Sequence, residues 1–511
     1  MNLEAYRPPL AVRLLLGLAL ANLGLHFLSN GPLAWGYMTD ELYFLDSLHR
    51  LDWGFVDHPP LSIALLAALH PLLGDSIFGL RLPAVFASAA TVFVSGLMAR
   101  EMGGGRAAQG LSALSILVAP VHLAMGGYYS MNPIDHALWA TAAWLLLRLL
   151  NGADQRLWLV LGVGVGLGLL NKVSMSWFAF GLGASLLLTP QRRWLLAPWP
   201  WAAGAIAAAM FAPFLWWQWR HGWPFLEFSL GAAELKVGEV SPSDFFLQQV
   251  LGLQPLAAPL WIGGLVYGLA ARELRPYRLL AWIFLAVFAL LAFSGSGRPH
   301  YLAPAFPIAV ALGAVGAERL GRSRRWLLPS AAAALAIAGA ISAPIAIPLL
   351  SPAATIRFMD AADLDPPQER ERGGELPMHL GLYLHAEAGL AALGRAYASL
   401  SPEEQERVTV VTRSFGEAGA VNVLGTKRGL PRSVGVHNQY WLWGPGEWDG
   451  ELVLLTHDDE VQLGQWFESC ERRGEIECSH CMEIFDAQAL YLCRHARLPL
   501  AEIWQQMKIY R

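Results

Sequence analysis

Apolar residues in this chain gather in long unbroken runs. They show neither the alternation of a half-buried strand nor the single stripe of a surface helix. Eleven runs approach the roughly 20 residues that cross a bilayer as a helix. They lie at 10–28, 77–98, 107–125, 132–149, 157–170, 173–188, 199–216, 255–270, 279–293, 301–317 and 326–349. The pattern predicts a mainly α, polytopic membrane module over residues 1–350, with a first outer loop at 30–76. From about residue 351 to 511 the chain becomes charged and mixed. There VTVVT, ELVLLTH and AQALYLCRHA read as short buried strands, and SPEEQERV as a Ser-capped helix start. A soluble α/β domain is expected.

Composition supports this division. The chain is 55% hydrophobic and only 15% charged, with a mean hydropathy of +0.39, against about 25% charged residues in a typical soluble domain. Its 21 Trp and 32 Pro suit interfacial aromatics and membrane helices. A net charge of −4 offers no electrostatic footprint for nucleic acid. The first apolar run lacks a small-x-small cleavage site and resembles the runs that follow. It reads as a retained span rather than a signal peptide.

Positive charge gives a self-consistent orientation. With Arg7 and Arg13 in the cytoplasm, the inner turns hold Arg100 and Arg106, Arg148 and Arg156, Arg192 and Arg193, Arg272, Arg275 and Arg278, then Arg319, Arg322, Arg324 and Arg325. The outer segments hold scattered cations: Arg50, Arg81, Lys172, Arg220, Lys236 and Arg298. All the unusual polar stretches fall on that outer side: TDELYF, VDHPPL, GGYYSMNPID, LNKVSM, QWRHGWPF and SGRPHYL. Charge at membrane depth is costly and marks cavities or function. One polar chamber at the outer face is therefore expected.

Each candidate has a plain alternative. Asp40 and Glu41 read either as solvated or capping acids, or as a base in a partly dry pocket. In VDHPPL the Pro-Pro pair stiffens the chain. It places Asp57 and His58 either as the cap of an interfacial helix or toward the chamber. Arg81 either snorkels to headgroups or faces the chamber. The orientation rule does not require Lys172, Arg298 or His300, and Gly and Pro around the last two allow close backbone approach. Together these cations suit a phosphate, gripped by Arg in a fork and by Lys as a point charge. Tyr128, Tyr129, Asn132 and Asp135 are positioned to line the chamber, while Asp135 equally fits a first-turn acid. Of the four Cys, Cys470, Cys478, Cys481 and Cys493, the CxxC pair admits zinc. No second CxxC accompanies it, and disulfides or free thiols fit an outer compartment better.

The order of these motifs resembles a family. An apolar first span, a D-E pair, an HPPL segment and Tyr-Tyr before the fourth span are similar to polyprenyl-phosphate-dependent glycosyltransferases of the GT-C fold. Among these, the chain resembles the bacterial dolichyl-phosphate-mannose–protein mannosyltransferase-like proteins, which include the aminoarabinose transferases that modify lipid A. GRPHYLAPAFP resembles their motif before a late span, and RSFGEAGAVNVLG with GVHNQYWLWGP resembles the tail of bacterial members.

The resemblance implies an inverting transfer of sugar from a polyprenyl-phosphate (undecaprenyl-phosphate) donor to an envelope lipid, glycan or protein at the outer face of a bacterial inner membrane. It implies Asp40 as the base and Asp57, with Glu41 and His58 beside these acids, as acceptor- or sugar-binding. It implies Lys172, Arg298 and His300, with Tyr301 and Arg81, at the phosphate. No cofactor is required, and a divalent metal is compatible but not demanded. The chain departs from the aminoarabinose transferases in having Asp57-His58 where they carry an acid and Lys before Pro-Pro. It also lacks the luminal-loop module of eukaryotic protein mannosyltransferases. A transporter or lipid-linked sugar flippase is the alternative. It would more often show inverted repeats and polar groups at the midplane. An envelope-assembly scaffold would not depend on Asp40.

Overall fold

A computed structural model describes residues 7–233, 240–295, 297–365, 373–457, 459–482 and 486–511. Lys236, one of the outer cations, lies outside the described residues. The first helices are α1 (Val12–Asn30), α2 (Thr39–Ser47), α3 (Leu61–Leu73), α4 (Ile77–Glu101), α5 (Arg106–Leu117), α6 (Pro120–Gly126), α7 (Met131–Leu150) and α8 (Leu157–Asn171). They continue with α9 (Met175–Leu188), α10 (Pro198–Arg220), α11 (Pro224–Ala232), α12 (Pro242–Leu253), α13 (Ala258–Ala270), α14 (Arg278–Ala292), α15 (Phe306–Gly321) and α16 (Leu327–Ala346).

Every predicted span has a helix. Among the described residues six helical segments are long and apolar enough to cross a membrane: α1, α4, α10 and α16, and α14 and α15 each together with the short helical turn before it, Arg275–Ala292 and Ala303–Gly321. Two more spans are bent pairs, α5 with α6 at 62° and α12 with the helix after it at 100°. Pro120 marks the first bend, and Gln254 at φ 122° before Pro255 marks the second. Of the other predicted spans, α7 has 20 residues, whereas α8 and α9 have 15 and 14, about 22 Å of rise for each of the latter two, short of a core of about 30 Å. Helices α7, α8 and α9 meet at polar Asn132, Asp135, Asn171 and Ser174, which supply a wetter level within the helical body.

Without a hydrophobic drive between spans, close packing relies on small residues. A Cβ on Gly264 would stand 2.5 Å from the Ala309 oxygen, and one on Gly313 would collide with Leu260. Helices α13 and α15 thus pack backbone to backbone. At the C-terminal end of α4, buried Glu101 gathers Arg7 at 3.2 Å, Arg100 at 3.8 Å and Arg148 at 3.9 Å. The basic turns therefore collect at one end of the helical body.

The other end of α4 meets the α/β region. Its helices are α17 (Pro352–Ala361), α18 (Met378–Gly381), α19 (His385–Ala398), α20 (Pro402–Arg407), α21 (Phe415–Ala420), α22 (Gln439–Trp443), α23 (Glu460–Trp466) and α24 (Leu500–Gln506). Its strands are β1 (Thr409–Thr412), β2 (Ser433–Gly435), β3 (Leu452–Thr456), β4 (Phe467–Ile476) and β5 (Gln488–Ala496), in sheet order β2-β1-β3-β5-β4. The first three are parallel, and β5 runs antiparallel to both neighbours. The three predicted strands are β1, β3 and β5, and Ser401 caps α20 in a capping box with Glu404. Short β2 and the charged edge strand β4 carry no apolar run to announce them. Cys470 is bonded to Cys493 across β4 and β5, and Cys478 to Cys481.

The sheet region clamps the first loop. A Cβ on Gly419 would lie 2.6 Å from the Leu42 carbonyl carbon, so α21 packs directly on the α2 backbone. Asp46, at the end of α2, accepts from Arg432 at 2.6 Å, Asn422 at 2.8 Å and Tyr440 at 2.8 Å. This buried three-donor clamp holds the segment carrying Asp40 against the sheet.

Candidate functional site

Two walls face one another at the junction of the helical body and the α/β region. The acid wall is the first turn of α2. Met38 caps it in an extended conformation, and the Glu41 carboxylate reaches back to the Met38 N–H at 2.9 Å. Glu41 also accepts from the Tyr129 N–H at 2.9 Å and from Arg81 Nε and Nη2 at 2.8 and 2.7 Å. Both side chains of this ion pair are fully buried. Arg81 gives two more donors to Asn30 at 3.2 Å and the Gly36 carbonyl at 2.8 Å, beneath the Tyr383 ring at 5.0 Å. With four of its five N–H donors engaged and its side chain fully buried, Arg81 is held in the frame, contrary to the expectation of a phosphate ligand. Glu41 is likewise a structural acid: a buried guanidinium demands a buried partner.

Asp40 follows one helical step away, about 100° around the axis, and is half-buried. Its charge reaches Tyr128 and Tyr383. Burial first, then Asp40, raises the ionisation of Tyr128 far above the usual phenol range. Both phenols therefore remain protonated beside the carboxylate.

The cation wall stands across Tyr128. The Tyr128 hydroxyl donates to Met125 Sδ at 3.5 Å and lies near the side chains of Asn132 and Ser130. Asn132 Oδ1 in turn accepts from Lys172 Nζ at 2.7 Å. Lys172 ends α8 in an extended conformation, because Val173 and Ser174 turn the chain into α9. Its ammonium lies 5.6 Å from the centre of the Tyr301 ring. Burial lowers the Lys172 pKa, Asp135 raises it and Arg298 lowers it again. Asp135 is held by Ser174 Oγ at 2.8 Å.

Arg298 completes the wall. Its Nε and Nη2 are buried and have no hydrogen-bond partner among the described residues. His300 sits beside it, its ring 4.8 Å from Tyr301, which packs at 5.4 Å on Trp177. Burial, with Lys172 and Arg298, holds His300 well below the usual imidazole range. It is neutral near pH 7 and able to donate or accept a hydrogen bond.

Asp57 and His58 do different work. Asp57 accepts from Tyr43 at 2.9 Å and Asn438 at 3.1 Å, tying the loop to the α/β region. His58 is buried against Phe55 and Phe44, with Nδ1 2.9 Å from the Pro59 carbonyl. The cap of α3 is Pro60, without a side-chain bond, so neither Asp57 nor His58 caps that helix. The Tyr129 hydroxyl binds the Ser62 carbonyl at 2.6 Å, and this residue is framework too. Of the expected residues, the structure brings together Asp40, Tyr128, Asn132, Lys172, Arg298, His300 and Tyr301. It assigns Glu41, Asp57, His58, Arg81 and Tyr129 to the frame. Sequence reasoning passed over Asp46 and Tyr383, which lie in ordinary-looking mixed sequence, and gave no role to Asn438 within GVHNQYWLWGP. Among the described residues no three His, Cys, Asp or Glu side chains are grouped to hold a metal.

Comparison with known proteins agrees with this architecture. Residues 57–217 match the protein-family profile described as dolichyl-phosphate-mannose-protein mannosyltransferase. That match begins at Asp57 and leaves Asp40 and Arg298 outside it. An undecaprenyl phosphate-alpha-4-amino-4-deoxy-L-arabinose arabinosyl transferase of Pseudomonas aeruginosa is 28% identical over 29% of this chain and 28% of its own. The lipid A galacturonosyltransferase RgtD of Rhizobium johnstonii is 26% identical over 52% of this chain and 56% of its own. The chain thus spans between about a quarter and about half of the length of these curated relatives.

Likeness in structure is far more extensive. ArnT from Cupriavidus metallidurans, solved bound to undecaprenyl phosphate, superposes with a TM-score of 0.61 at 15% identity, over 94% of this chain and 97% of that one. The archaeal oligosaccharyltransferase AglB from Archaeoglobus fulgidus gives 0.53 at 12% identity, over 87% and 69%. The chain therefore has the GT-C fold of multi-pass membrane glycosyltransferases, with an α/β region packed on the face that carries its two charged walls.

Proposed function

We propose that this protein is an inverting glycosyltransferase that moves a sugar from a polyprenyl-phosphate donor, of the undecaprenyl type, to an envelope acceptor. The observation that carries the reading is that Nε and Nη2 of half-buried Arg298 are buried without a hydrogen-bond partner among the described residues, beside Lys172 and neutral His300. Buried donors of a cation that lack a partner are costly. An incoming phosphate offsets that cost, and it leaves more easily as its growing charge is met by preorganised donors.

In this reading the acceptor hydroxyl gives its proton to Asp40 and its oxygen attacks the anomeric carbon. The bond from that carbon to the phosphate oxygen breaks, and the phosphate departs with the electron pair. Attack opposite the leaving group inverts the anomeric centre. Lys172, Arg298 and His300 receive the phosphate, while Asn132 and Tyr301 orient the Lys172 ammonium. Asp40 accounts for the proton, and no step is routed through a metal.

Residues 1–350 form the catalytic membrane module and 351–511 the α/β domain. The basic turns at the Glu101 end support a cytoplasmic N-terminus and an α/β domain on the outer side of a bacterial inner membrane. Relatives named for lipid A and aminoarabinose transfer support a lipid or glycan acceptor. Mass spectrometry of envelope lipids, glycans and proteins from cells with and without this protein tests the reading. One or more species lighter by a sugar residue in its absence is expected. Identical profiles in all three classes contradict it.

A further inference from the structure

The acid wall contains a residue from outside the helical body. The segment after α17 folds back through α18 and brings Tyr383 onto Arg81, its ring 5.0 Å from the guanidinium. Tyr383 is buried and packs with Met38 and Tyr128 in one apolar cluster, so it closes the side of Asp40 that faces the α/β region. Its backbone is pressed against the first loop. Gly36, at φ +144°, lies so close to the Tyr383 carbonyl oxygen that an added Cβ would stand 2.8 Å from it.

Three contacts fix this segment. His379 Nε2 lies 3.1 and 3.2 Å from the carbonyls of Ile345 and Ala346 at the end of α16. An added Cβ on Gly381 would meet Met482 at 3.2 Å, next to the disulfide-bonded Cys481. Glu375 pairs with His480 inside the Cys478–Cys481 loop at 2.6 Å. The ring is therefore held from three directions over a charged floor, an arrangement that the packing of the sheet does not require.

We propose that Tyr383 is a positioning residue through which the α/β region completes the catalytic pocket. Its ring covers Arg81, keeps water from the Glu41–Arg81 pair and holds Asp40 in a fixed, partly dry setting. The inference rests on the glycosyltransferase reading and deepens it. Among the described residues the charge of Asp40 reaches Tyr128, from the loop before α7, and Tyr383, from the α/β region, while Glu41, next to it on α2, pairs with Arg81 from α4. A carboxylate in a drier setting is a stronger base at neutral pH, and small displacements of a catalytic group are expensive in rate.

The experiment uses the purified full-length protein in liposomes, with polyprenyl-phosphate sugar lipids and acceptors extracted from host membranes. Tyr383→Ala is expected to lower the rate at saturating donor by about ten- to a hundredfold. Its apparent donor KM should be unchanged, and the acid limb of its pH–rate profile should move to lower pH as water reaches Asp40. Tyr383→Phe keeps the ring and is expected to stay within about threefold of the parent.

If Tyr383→Ala does not accumulate, Tyr383→Leu fills the space without a ring over Arg81 and is expected to lose at least about threefold. Wild-type rates in Tyr383→Ala or Tyr383→Leu overturn the proposal. So does a Phe variant as slow as the Ala one, or a loss confined to donor KM. Asp40→Asn, run in parallel, separates the two claims. If it is fully active, the underlying reading fails. If it is inactive while Tyr383→Ala is unaffected, only the role of Tyr383 falls.

Discussion

Lys172 Nζ donates to Asn132 Oδ1 at 2.7 Å, across the gap between the end of α8 and the start of α7. Asn132 also lies near Tyr128, which the charge of Asp40 reaches. It also gives a buried ammonium a neutral partner, which leaves the positive charge available to a ligand. Asn132→Ala is expected to raise the apparent donor KM by about ten- to a hundredfold, the range for losing a hydrogen bond to a charged group. Steady-state rates over a donor series check this, and an unchanged KM contradicts it.

Arg298 offers a sharper test because it gives little to the fold. Its Nε and Nη2 bond to nothing among the described residues, so Arg298→Ala should leave thermal stability without ligand intact or slightly raised. The stabilisation given by added undecaprenyl phosphate should fall, since ligand binding to the native state raises the unfolding temperature by mass action. Thermal unfolding in detergent with and without the lipid measures both.

The Glu41–Arg81 pair predicts the opposite behaviour. Both partners are fully buried and share two hydrogen bonds. Removing one leaves an unpaired buried charge, at a cost of about 3–5 kcal/mol. Arg81→Met should therefore reduce folded yield sharply, and the double variant Arg81→Met, Glu41→Leu should recover part of it. Size-exclusion profiles and unfolding midpoints report the outcome. A single Arg81→Met variant that folds normally but loses donor affinity would return Arg81 to the phosphate site.

Inside the α/β region, Glu417 is buried and accepts from the N–H groups of Arg413 and Ser414 and from Thr456. Burial pushes its carboxyl up to about 6, against those hydrogen bonds. An acid whose folded pKa lies above its unfolded value contributes stability that is fully present below the unfolded pKa, here 4.5, and lost as pH rises through about 6. His385, 3.7 Å away and lowered to about 4 by burial, works in the other direction over an overlapping range. The comparison must therefore be between variants. Relative to the parent, Glu417→Gln should gain about 2 kcal/mol between pH 4.5 and pH 6. Unfolding midpoints at several pH values follow it, and a constant difference across that range contradicts it.

Much of this was readable in the chain itself. Each apolar run became a helix because a bilayer-spanning segment must satisfy its backbone internally. Lys172, Arg298 and His300 stood out because no orientation or anchoring rule required cations there. Arg81 carried the same signal, yet it pairs with Glu41. Which of two acids meets which of several cations is decided by tertiary packing, and spacing alone does not contain it. The contacts of Asp57 and His58 run to Asn438 and Phe55, which spacing alone likewise does not contain. Tyr383 and Asp46 act through partners more than 300 residues away in sequence. Edge strand β4 is mostly charged and exposed between buried Phe467 and Ile476, so its composition does not mark it as a strand.

The central claim is that one pocket holds a base on one wall and a phosphate on the other. Its most direct measurement is sugar transfer by purified Asp40→Asn in liposomes, alongside the thermal shift induced by undecaprenyl phosphate. Transfer should fall by about 10²–10⁴-fold while the lipid-induced shift stays at the parent value. Transfer at the parent rate, or loss of lipid binding together with activity, would contradict it.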